Sequence, residues 1–124
     1  MPYNTSARQI AGNTAENTAC EYLQTQGLTL VDRNFTCRLG EIDLIMMDKN
    51  ILVFVEVRSR TRADGYDPIE SITYHKQQRL LRTSSLFLQK KGWLDVYPCR
   101  FDVIGITYIQ GQPEIRWVKH AISG

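Results

Sequence analysis

A mixed α/β sheet with helices packed on it is the fold class that this sequence predicts, and three observations predict it. Residues 41–47 and 51–58 are strongly apolar runs separated by Lys49-Asn50, the pattern of a β-hairpin. Helix-like stretches precede and follow these runs, the first stopped by Gly27 and the second by Gly92. Beyond the second helix lies another apolar run, residues 99–107. A hairpin strand, then a helix, then a strand reads as a crossover that lays the last long strand parallel to its neighbour. The element order is therefore αβββαββ.

The first helix is expected over residues 8–26. Its stripe of Gly12, Ala15, Ala19, Cys20 and Leu23 is built of small residues suited to close packing on a sheet. Glu16 falls on the same stripe, an acid on the side that should face the core. Residues 28–34 read as the first strand. Residues 61–67 contain Asp64-Gly65 and read as an exposed, mobile loop. The second helix runs to about residue 90, and its start has three candidates: Asp67-Pro68, Ser71 or Thr73 as cap. Ile72, Leu80, Ser84 and Phe87 form its inner stripe with Lys76 among them, while Arg79 and Arg82 point away. Residues 114–119, entered through Gly111-Gln112-Pro113, make a weaker edge strand.

The hairpin carries the chemistry. A two-residue loop at Lys49-Asn50 pairs Asp48 with Ile51, and the same register sets Asp43 opposite Glu56 and Glu41 opposite Arg58. Alternation places these four on one face with Ile45, Met47, Leu52 and Phe54. The other face holds only Ile42, Leu44, Met46, Val53, Val55 and Val57. Two ionised carboxylates directly across a ladder repel, and charges are rarely buried unless paired or bound to metal. Two readings of the pair follow: a divalent-metal site, or an ion-pair network completed by Arg58 and Arg60. Asp102, inside the apolar run 99–107, is a further buried acid, and an anchor for an arginine or for the first helix is the role it suggests.

At 124 residues with 43% hydrophobic content, the chain suits a single domain, residues 1–124, with its own core. No apolar run approaches the ~20 residues of a membrane span, and the N-terminus lacks a secretory-signal layout. Cys20, Cys37 and Cys99 have neither zinc spacing nor an even count, which favours a reducing, cytoplasmic location. The net charge of +2 says little, but its distribution is uneven. Residues 1–50 hold four bases and six acids; residues 58–91 hold eight and three. A basic surface beside an acidic pocket suits a phosphate backbone, although a lone basic helix is also a common solvated face.

Motifs along the whole chain resemble the YraN-like family of bacterial proteins. They are Ala15-Glu16 with Ala19 and Tyr22-Leu23, Arg33-Asn34, Gly40-Glu41-Ile42-Asp43-Leu44-Ile45, Val53-Phe54-Val55-Glu56-Val57-Arg58, Lys76 with Arg79-Leu80, Arg100-Phe101-Asp102-Val103, and His120-Ala121-Ile122. That family is similar to Holliday-junction resolvases and other nucleases of the restriction-endonuclease-like fold. The resemblance implies Mg²⁺ (or Mn²⁺) held by Asp43, Glu56 and Glu16, with these three and Arg58 as the catalytic set. It also implies DNA, branched DNA included, as partner, contacted by Arg60, Lys76, Arg79 and Arg82, and a homodimer matching the two-fold symmetry of a junction. Arg58 is a departure, because nucleases of this fold carry lysine there. Arginine stabilises a phosphate bidentately but cannot act as a general base. The alternative implied is a non-catalytic nucleic-acid-binding module on the same fold.

Overall fold

A computed structural model describes residues 7–60 and 72–122, with side chains from residue 14 onward. The elements are α1 (Ala7–Thr25), β1 (Thr29–Cys37), β2 (Gly40–Asp48), β3 (Ile51–Arg60), α2 (Tyr74–Lys91), β4 (Cys99–Ile109) and β5 (Gln112–Val118). The five strands form one sheet in the order β1-β2-β3-β4-β5, with β3 and β4 parallel and every other pair antiparallel. The expected order αβββαββ and the crossover through α2 are both present. The side that Gly12 faces is not described, and the loop at residues 61–67 lies outside the described residues, as do the Asp67-Pro68 and Ser71 helix starts. Among the described residues, no helix is long and apolar enough to cross a membrane.

Local chemistry accounts for the turns. Lys49 opens the β2–β3 loop with φ of 58°, as the first central residue of a two-residue hairpin must have. Gln110 and Gly111, at φ 52° and 79°, both take the left-handed conformation that a type I′ turn between β4 and β5 requires. Thr73 is the cap of α2, its hydroxyl accepting the Lys76 N–H at 3.2 Å. Gly92 ends the helix at φ 71° and donates back to Gln89 and Leu88 carbonyls.

Strand β1 continues three residues past its expected end. Asn34 adopts φ of 55°, a conformation asparagine tolerates better than most residues, and the pairing resumes beyond it with Phe35↔Ile42. One facing assignment is corrected. Ile42 was expected beside Leu44 and Met46, yet it packs on the opposite face with Ile45, Phe54 and Leu80. The strict two-residue period fails across Asp43, which lies between Ile42 and Leu44; the β1–β2 register itself shifts between Leu30 and Asp32.

Both faces of the sheet are cores, rather than one. On the α1 face, Ala15, Ala19, Cys20 and Leu23 meet Leu44, Met46, Val53, Val55, Ile104 and Ile106. On the α2 face, Phe87 is the anchor, touching Phe35, Phe54 and Trp93 edge-on at centroid distances of 5.1, 6.0 and 6.0 Å.

Asp102 resolves as an anchor for an arginine and for the C-terminal segment. It is fully buried and accepts from three donors: the Arg100 Nε–H, shared between its two oxygens, the Trp117 Nε1–H and the His120 backbone N–H, all between 3.0 and 3.1 Å. Arg100 Nη1 reaches on to Asp48 Oδ2 at 2.9 Å. Removing one member of such a buried set strands the other charge. Asp102→Ala is therefore expected to cost about 3–5 kcal/mol, read as a lowered urea midpoint with an unchanged slope.

Candidate functional site

The hairpin register is the expected one as far as it runs: Asp48↔Ile51, Met47↔Leu52, Met46↔Val53, Ile45↔Phe54 and Leu44↔Val55. The next pair in sequence is Asp43 and Glu56, and there the pairing changes. Residues flanking a two-residue loop exchange both backbone bonds, and that pattern recurs every second residue. It would bring the Val57 N–H to the Ile42 carbonyl. Instead, the Val57 N–H donates to Asp43 Oδ2 at 2.8 Å. A side chain thus takes over a ladder bond, and Asp43 and Glu56 stand at a fork between β2 and β3.

The fork opens into a cavity of about 420 Å³ on the α2 side of the sheet. Asp43, Glu56 and Arg58 line it from the strands, Cys37, Gly40 and Glu41 from around the β1–β2 turn, and Lys76, Arg79 and Leu80 from α2. Arg79 was expected to point away from the sheet; it lies in the cavity wall, because its position flanks the helix stripe that packs on β2. Lys76, expected on the inner stripe, is exposed at the rim. Arg82 is exposed and outside the lining. Arg60 also lies outside the lining, half-buried at the end of β3.

Electrostatics mark the pair as unusual. Burial, and then the neighbouring Glu56 charge, push the Asp43 carboxyl up to about 7. Burial also raises Glu56, against the pull of Arg58, whose Nη2 sits 2.8 Å from Glu56 Oε2. The two carboxyls lie in hydrogen-bonding reach of each other, an arrangement that favours a proton on Asp43. Lys76 acts on Glu56 from the helix as a weaker positive charge. Glu41 faces the same cavity; its charge raises both acids, and the ion pair of Arg58 is with Glu56.

Glu16 stands apart from the cavity lining. It is raised chiefly by burial and then by Asp43, and Arg33 Nη2 lies 3.8 Å from its Oε1. That Oε1 atom is buried without a hydrogen-bond partner, as is Arg58 Nε. Among the described residues, no three His, Cys, Asp or Glu side chains converge at metal-binding spacing. Two carboxylates suffice for a hard cation such as Mg²⁺, which keeps several waters and takes phosphate oxygens. The donor set of Asp43 and Glu56, two adjacent carboxyls both raised by burial, fits such an ion. Sequence reasoning missed the Val57 N–H and Arg33 as partners of these acids. Arg33 carries a signal, since it precedes Asn34, whose conformational tolerance turns the strand there.

An α/β protein with a strand–helix–strand crossover and an acidic pair at the mouth of its central hairpin is the class that fold and site define. The chain belongs to the Uncharacterised protein family UPF0102, whose family model matches residues 15–106. This is the YraN-like family that the motifs resemble. It is 49% identical over 118 residues to a UPF0102 protein of Coxiella burnetii, covering 95% of this chain and 96% of the relative. A UPF0102 protein of Nitrosococcus oceani is 51% identical over 110 residues, 89% of each chain. A third, from Pseudomonas putida, is 47% identical over 115 residues, covering 91% of this chain and 92% of the relative.

The carboxyl pair has a measurable signature. An acid raised in the fold favours the folded state fully below its unfolded value, here 3.8, and that contribution is lost as pH rises through about 7. Asp43→Asn keeps an acceptor for Val57 and removes the charge. At pH 8 in EDTA this variant is expected to be more stable than wild type, by about 1–3 kcal/mol. Near pH 4 the gap should close. Urea titrations at both pH values check this, and a less stable variant at pH 8 would contradict the assignment.

Proposed function

We propose that this protein is a metal-dependent endonuclease that hydrolyses DNA phosphodiester bonds, with branched, Holliday-junction-like DNA as the substrate class. The observation that carries the reading is the buried, adjacent carboxyl pair of Asp43 and Glu56 at the fork of β2 and β3, inside a cavity rimmed by Lys76 and Arg79. Carboxylates forced together in a low-dielectric site favour exchange of a proton for a cation. In this reading Asp43 and Glu56 hold Mg²⁺ or Mn²⁺, with Glu16 as a nearby acid that adds negative potential. The ion, when bound, polarises the phosphate and lowers the pKa of a coordinated water.

The chain's own residues do the rest. The Val57 N–H holds one oxygen of Asp43 and so orients that carboxylate towards the cavity. Arg58 fixes Glu56 and favours its charged form. Lys76 and Arg79 on α2 face the acids across the cavity and suit a phosphate backbone. Arg82 and Arg60 extend the basic surface beyond it. Arg58 donates only, so a proton leaving the attacking water has no arginine base to accept it.

A second reading is favoured by one specific observation. The arginine that replaces the lysine of related nucleases is paired with Glu56, and the pair neutralises an acid that the cation would need. On that reading the protein binds nucleic acid without cutting it. A cleavage and binding assay on labelled four-way, flap, single-stranded and linear DNA with Mg²⁺, Mn²⁺ or EDTA separates the two. The nuclease reading expects metal-dependent products that fall by about 10²–10³-fold in Asp43→Asn and Glu56→Gln. Salt-sensitive binding without products in any metal, unchanged by either substitution, would leave the binding module.

A further inference from the structure

Three cations line the cavity, and they are not equivalent. Arg58 is held by Glu56. Lys76 bears on the same carboxylate through its charge. The guanidinium of Arg79 makes no ion pair or hydrogen bond among the described residues, and its charge is not among those that bear on Asp43, Glu56 or Glu16. A planar donor fork facing an acidic cavity, and spent on none of the acids, is left for an anion that enters with a substrate.

What holds that arginine in place is a missing side chain. A Cβ added to Gly40 would stand 2.9 Å from both Cγ and Cδ of Arg79, and 3.1 Å from Thr83 Oγ1. The stem of Arg79 thus lies flat on the first residue of β2, in the space that any other residue's Cβ would fill. Gly40 also sits at φ of 149°, a conformation that disfavours a side chain. The helix cannot simply back away. Thr83 is fully buried, and Phe87 one turn on packs edge-on against Phe35 and Phe54 of the sheet and against Trp93. A methyl group at position 40 is therefore relieved mainly by displacing Arg79.

We propose that Arg79 is the guanidinium that meets the substrate phosphate in this cavity, and that Gly40 is the positioning residue that seats it. The inference rests on the nucleic-acid reading above and changes the division of labour implied by the resemblance. Arg58 serves Glu56; Arg79 serves the phosphodiester. It also gives the glycine of Gly40-Glu41-Ile42-Asp43 a task in the site beyond its place at the turn.

The test is a double-substitution cycle on the intact chain, read by fluorescence anisotropy with labelled duplex and four-way DNA across a salt series in EDTA. Arg79→Gln is expected to weaken binding about 10-fold and to reduce the slope of log K against log salt by about 0.9. Gly40→Ala should reproduce both changes, and the double variant should bind no more weakly than Arg79→Gln alone. Lys76→Gln added to Gly40→Ala should weaken binding further, because that contact is separate. Gly40→Ala binding like wild type, or losses that add in the double variant, would overturn the proposal. Thermal melts judge the seat without DNA. Gly40→Ala should lower Tm by about 5 °C or more, and Arg79→Ala in the same chain should restore part of that loss by removing the stem. If Gly40→Ala does not fold, recovery of folding in Gly40→Ala/Arg79→Ala supports the seat, and no recovery overturns it. Wild-type protein that binds no DNA at low salt sinks the nucleic-acid reading and the phosphate role with it, while the melts still decide the seat.

Discussion

Two carboxylates cannot stand side by side in a half-buried site unless something compensates their charge, and the middle of this molecule is organised around that constraint. Burial raises both Asp43 and Glu56, Arg58 grips Glu56, and the Val57 N–H grips Asp43. That last bond is the turning point of the fold. By giving the Val57 donor a side-chain acceptor, Asp43 lets β2 and β3 part without leaving that N–H unsatisfied. The parting makes the cavity, and the cavity admits the two cationic side chains of α2. Site and fold are the same event seen at two scales.

The rest of the structure tolerates this because its stability lies elsewhere. Each face of the sheet has its own apolar core, one under α1 and one under α2. The two buried aspartates show how environment separates roles for one residue type. Asp102 has three donors, one of them on an arginine that also reaches Asp48, and is satisfied as a structural anchor. Asp43 has one backbone donor and an acid beside it, and is left with an affinity for positive charge. An acid that the fold under-satisfies is a candidate for function; an acid that it saturates is part of the frame.

Family membership and site geometry bear on different questions. Relatives covering nearly the whole chain establish what kind of protein this is. The nuclease reading draws its support from the carboxyl pair and its cationic rim, and the Arg58–Glu56 ion pair is the feature that pulls against it.

The sequence by itself determined the order of elements, the β2–β3 register, the parallel crossover and the identity of the two central acids. These rest on two-residue alternation, helix stripes and turn residues, all of which are relations between near neighbours in the chain. Only the tertiary structure decided the fork, the facing of Ile42, the place of Arg79 and the partners of Asp102. Each depends on groups far apart in sequence that meet only after packing: Asp43 with Val57, Gly40 with Arg79, Arg100 with Asp48. Glu16 lies between these cases. Its position on an inward stripe was legible from the helix period, but its pairing with Arg33 rather than entry into the cavity was set by how closely the small residues of α1 let the helix approach the sheet.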